Sequence, residues 1–179
     1  LGFDDEISRD HDFEPGFCLW LTDADDARIG IELSRKMRDL FGSRVSQSSA
    51  LGTAGIGVMR ISDFYRRFTG LPGAPETWQD WLYLPSYALA QAVSGEVFRD
   101  DLGEFSRIRQ EIACGMPEDV RRKKLAARLA LMAQSGQYNY ARCLAHGEDG
   151  AAMLAVSEFV KNTAEAVFPV SYTHLRAHE

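Results

Sequence analysis

The apolar positions of this chain change period about halfway along. Residues 8–12 and 17–22 read as two short strands around the Pro15-Gly16 turn, the second built on the run Phe17-Cys18-Leu19-Trp20-Leu21. Thr22 or Asp23 can cap a helix from about residue 25 to residue 41, with Ile29, Leu33, Met37 and Leu40 on one face at helical spacing. Gly42 is a stop signal, and the serine- and glycine-rich stretch 43–55 reads as a loop. Residues 56–61 form a buried-strand pattern, and Ser62 is placed to cap a short helix that runs through Phe68 and ends before Gly70.

Past the linker Pro72-Gly73-Ala74-Pro75 the pattern is almost wholly helical. Residues 78–82 and 86–93 are short helices separated by Pro85, and a turn over 98–103 leads to a helix over 104–114. Pro117-Glu118-Asp119 is a helix start, with proline at the first turn and acids beside the positive end of the helix dipole. That helix turns Val120, Leu125, Leu129 and Met132 toward a core and runs past Gly136 to about Leu144; residues 151–168 form the last helix. Trp20, Trp78 and Trp81 read as packing residues, the last two sharing a helix face at i, i+3. Strands in front and helices behind make an α+β chain, divided at 1–71 and 76–168.

Composition narrows the function classes. A formal charge of −6 argues against a nucleic-acid or anionic-membrane surface, which would reward positive patches. The basic run Arg121-Arg122-Lys123-Lys124 reads as a solvated helix face. Cys18, Cys114 and Cys143 match neither a zinc pattern nor a disulfide framework, in keeping with a reducing cytoplasm. No apolar run has the length of a membrane span.

Residues 170–179, Val-Ser-Tyr-Thr-His-Leu-Arg-Ala-His-Glu, resemble one reading frame of the transposase-end adapter used in sequencing libraries. They are expected to be a non-native tail and are set aside from the chemistry, together with His174 and His178. Leu1 is not an initiator methionine, so an upstream segment is expected as well.

The candidate chemistry sits at the front. If residues 8–13 are extended, Asp10 and Asp12 project to one side, roughly 6–7 Å apart at Cα. Two carboxylates so held repel each other, and a divalent cation resolves the conflict; Mg²⁺ takes hard oxygen ligands, often one or two carboxylates plus substrate phosphates. An acidic turn open to water is the alternative for the same spacing. Arg9 and His11 then face the other way, where Arg9 either pairs with Asp4, Asp5 or Glu6 or meets a phosphate. In the helical half, Gln137, Tyr138, Asn139 and Arg142 interrupt a core-like helix; they either face a nucleotide or acceptor or pack at a kink beside Gly136. The dipeptide His11-Asp12 also suggests a histidine–aspartate phosphohydrolase, but that chemistry needs further histidines on helices, and only His146 remains.

The stretch from Gly2 to Phe13 followed by Gly16-Phe17-Cys18-Leu19-Trp20-Leu21, and Ser135-Gly136-Gln137-Tyr138-Asn139-Tyr140-Ala141-Arg142 after Pro117-Glu118-Asp119-Val120, resemble the two halves of the bacterial domain of unknown function family 4037. Members look like polymerase-beta-type nucleotidyltransferases. The resemblance implies a small mixed sheet followed by a helical, substrate-facing domain. It also implies Asp10 and Asp12 as catalytic metal ligands, a two-Mg²⁺ mechanism, and a nucleoside triphosphate whose nucleotidyl group goes to a small-molecule or protein acceptor. Two parts of the pattern are missing: the phosphate-cradling Gly-Ser loop, expected upstream of Leu1, and a third carboxylate on the 56–61 strand, for which Asp63 is a poor substitute. Those gaps leave a second expectation open, a degenerate domain that binds nucleotide or a partner without catalysis.

Overall fold

The computed structural model describes residues 17–41 and 57–176. The fold is α+β. Asp10, Asp12, Arg9, the strand expected over 8–12 and the loop expected over 43–55 lie outside the described residues. Contacts within the chain gather into two compact units, one of residues 1–74 with 91–109 and one of residues 75–90 with 110–179. The break at Ala74 and Pro75 falls in the Pro-Gly linker, whereas 91–109 return to the first unit, a link made by packing alone.

The first unit is built on a β–α–β–α run. Strand β1 (Cys18–Leu21) pairs in parallel with β2 (Gly57–Arg60), Cys18 opposite Gly57 and Leu21 opposite Arg60. Between them, α1 (Asp23–Asp25) passes through a π-helical turn (Asp26–Gly30) into α2 (Ile31–Phe41). Thr22 caps α1, its Oγ1 accepting from the Asp25 N–H at 3.0 Å. The π-turn takes up an extra residue and rotates the helix after it, so Gly30 and Met37 are buried while Ile29 and Leu40 are exposed. Met37 packs against Leu19 of β1 and Val58 of β2.

Helix α3 (Ile61–Thr69) starts directly off β2 and closes at Gly70, whose φ of 75° needs the left-handed freedom of glycine. Arg60 holds the cap position; Ser62, expected there, instead donates to Asp23 Oδ1 at 2.7 Å. An aromatic core lies on this side of the unit. Trp20 stacks on Phe105 with centroids 4.2 Å apart, Phe64 meets Trp20 edge-on at 5.2 Å, and the buried Tyr65 donates its hydroxyl to the Phe105 carbonyl at 3.1 Å.

The second unit is helical. Helix α4 (Trp78–Tyr83) begins with a reciprocal cap, Thr77 Oγ1 accepting from the Asp80 N–H and Asp80 accepting from the Thr77 N–H. Trp81 is buried but Trp78 is 56% exposed, so the two do not share a packed face. Helices α5 (Ser86–Val93) and α6 (Glu104–Cys114) carry the chain from one unit to the other and back. Helix α7 (Glu118–Met132), capped by Pro117, runs through a π-helical segment (Ala133–Asn139) into α8 (Tyr140–Ala145). A turn at Gly147, φ 71°, reverses the chain into α9 (Asp149–Arg176), whose backbone is helical beyond Phe168. The pairing of Gly136 with Phe159 and of Arg128 with Asn162 makes this an antiparallel hairpin. Among the described residues no helix is long and apolar enough to cross a membrane.

Candidate functional site

Parallel strands point their carboxyl ends the same way, and ligands of such sheets gather there. Along the whole of β1, from Phe17 to Thr22 just past its carboxyl end, the first unit opens a cavity of about 480 Å³. Phe17, Trp20, Phe105 and Phe98 give it apolar walls, and Thr22 and Asp25 stand at one end. Asp25 is already engaged: the Thr22 hydroxyl donates to its Oδ2 at 3.0 Å and Arg28 meets its Oδ1 at 3.3 Å. Asp100, also on the wall, accepts from the N–H groups of Ser106 and Gly103 at 2.7 and 2.9 Å. Burial pushes its carboxyl up, but those N–H bonds outweigh it and hold the group below the usual carboxylate range. Cys18 lines the cavity too, and burial pushes its thiol up against the pull of Arg67, which makes it a weak nucleophile. The Trp20 indole N–H is buried and has no acceptor among the described residues.

Asp63, weighed as the third carboxylate, stands in the first turn of α3. Arg60 bonds its Oδ2 at 2.7 Å and Arg66 its Oδ1 at 3.2 Å, and the Arg60 bond holds its carboxyl below the usual range. Both oxygens are committed to guanidinium groups, a poor state for a metal ligand. Among the described residues no group of three or more histidine, cysteine or carboxylate side chains is arranged to hold a metal.

The four candidates of the helical half divide. Asn139 is half-buried and lines a groove of about 490 Å³ between the π-segment and α9, with Ser135, Cys143, Glu158 and Lys161. Gln137, Tyr138 and Arg142 are exposed; Arg142 donates to the Tyr138 hydroxyl at 2.9 Å and stands 5.9 Å from its ring centre.

A polar cluster that sequence reading missed lies inside the hairpin. Arg128 donates to the Asn162 side-chain carbonyl at 3.0 Å and pairs with Glu165 at 2.6 Å. Asn162 is fully buried and donates in turn to the Glu158 carbonyl and carboxylate at 2.8 and 2.9 Å, so its hydrogen-bonding groups are met. Lys124, one turn before Arg128, donates to the Leu84 carbonyl. Burial, with Arg128 adding to it and Glu165 opposing, pulls its amine down to about 8.

The basic run is thus not a single solvated face. Arg122 and Lys123 are exposed, while Arg121 folds onto Glu118 at 2.6 Å and Lys124 turns inward. Leu129, expected in the core, is 52% exposed, because the inner face of α9 presents Asn162 and Glu165 and draws Arg128 in. The available signal was Glu158, Asn162 and Glu165 at i, i+4 and i+7, a polar stripe along an otherwise apolar helix.

A family model described as "Domain of unknown function (DUF4037)" matches residues 81–177, more than half of the chain. The match takes in Gln137, Tyr138, Asn139 and Arg142 and starts after the segment that carries Asp10 and Asp12. No curated protein and no solved structure matches the chain.

Proposed function

We propose that this chain, which belongs to the DUF4037 family, comes from a bacterial, cytoplasmic nucleotidyltransferase that moves a nucleotidyl group from a nucleoside triphosphate to the hydroxyl of a small-molecule or protein acceptor. In this reading residues 1–71 are the transferase-like part, 76–168 the substrate-facing part, and 170–179 lie outside the functional chain. One observation carries it: Asp10-His11-Asp12 leads, six residues on, into strand β1 of a parallel β–α–β unit.

Asp10 and Asp12 would hold Mg²⁺. Their donor set fits, two hard carboxylates two residues apart, and the described residues add no third, since Asp63 is tied to Arg60 and Arg66. When bound, the metal supplies Lewis-acid stabilisation of charge on the triphosphate. The chain's own part is positioning. The two carboxylates fix where the phosphates lie, Arg9 offers a phosphate contact, and Asn139 offers an amide from its groove to a nucleotide or acceptor. Gln137, Tyr138 and Arg142 offer contacts from the exposed side of the same segment.

The Arg60–Asp63–Arg66 arrangement favours a second reading, a degenerate domain of this fold that binds nucleotide or a partner without turnover. The test is calorimetric titration of the full-length protein with nucleoside triphosphate, with Mg²⁺ and again with chelator. Asp10→Asn and Asp12→Asn keep side-chain size while removing charge, so each should weaken Mg²⁺-dependent binding sharply. Turnover of labelled nucleotide, where present, should fall by several kcal/mol in transition-state stabilisation, of order 10²-fold or more. Binding indifferent to both substitutions and to chelator would favour the non-catalytic reading.

A further inference from the structure

We draw no further inference here: the strongest candidate, the aromatic-walled cavity along β1, carries nothing, because the carboxylates on its wall are already bonded, Asp25 by Thr22 and Arg28 and Asp100 by the N–H groups of Gly103 and Ser106, and nothing in the structure shows what fills it.

Discussion

Gly136 stands in the middle of the π-segment that follows α7, and its missing side chain is what lets Phe159 of α9 approach. A Cβ built there would lie 2.6 Å from Phe159 Cδ2. Alanine is favoured over glycine in a helix by about 1 kcal/mol, while forcing a methyl into a packed contact costs about 1–3 kcal/mol. The clash outweighs the propensity gain, so Gly136→Ala should lower stability by about 1 kcal/mol in urea denaturation. In a Phe159→Leu background the obstacle is removed, and the same substitution should be neutral or stabilising. Equal destabilisation in both backgrounds would show that glycine serves the π-turn itself rather than the contact.

At the scale of the element, the pairing of α7 with α9 depends on charges placed inside it. Lys124 in the folded chain gives up its proton near 8, below the ordinary lysine value that it regains on unfolding. Between those two values the unfolded chain binds more protons, so stability rises with pH across that window. Below about 8 both states are protonated, and the cost of burying the charged amine is present in full. Subtracting the stability–pH curve of Lys124→Met from that of the unaltered chain isolates this effect from the tyrosines and cysteines that titrate nearby. The difference should climb from about pH 8 toward the lysine range, and a flat difference would mean that the amine reaches water. Which helices form was legible from local chemistry: the Thr77–Asp80 cap, the breaks at Pro85 and Pro117 and the glycine at 70 act within a few residues. Which face of α7 turns inward was not, because Leu129 and Arg128 are neighbours in a pattern that only the partner helix resolves.

For the whole molecule, two units share a chain that crosses between them at α5 and α6. The backbone of the adapter-like residues 170–179 continues α9 as far as Arg176 among the described residues. Deleting them should leave Tm unchanged within error, read by differential scanning calorimetry on chains ending at residue 169 and at residue 179. A clear fall would show that the tail packs. The candidate site divides along the same line: Asp10 and Asp12 stand out because carboxylates at i, i+2 before an apolar strand are a local signal, whereas Asn139 is set apart from Gln137, Tyr138 and Arg142 only because the groove against α9 falls on its side of the helix, with Ser135.

By itself, the sequence determined the order of elements, the parallel strands' positions and most helix ends, because caps, turn residues and apolar period act through bonds a few residues apart. Tertiary structure alone decided what depends on distant partners. The return of 91–109 to the first unit, the aromatic stack of Trp20 on Phe105, and the meeting of Lys124 and Arg128 with Asn162 and Glu165 join residues tens of positions apart. No local preference encodes them. A half-buried arginine and a buried asparagine are each costly alone, and their mutual hydrogen bond, with the Arg128–Glu165 pair, forms when α9 folds back on α7 and makes the inward turn of both favourable.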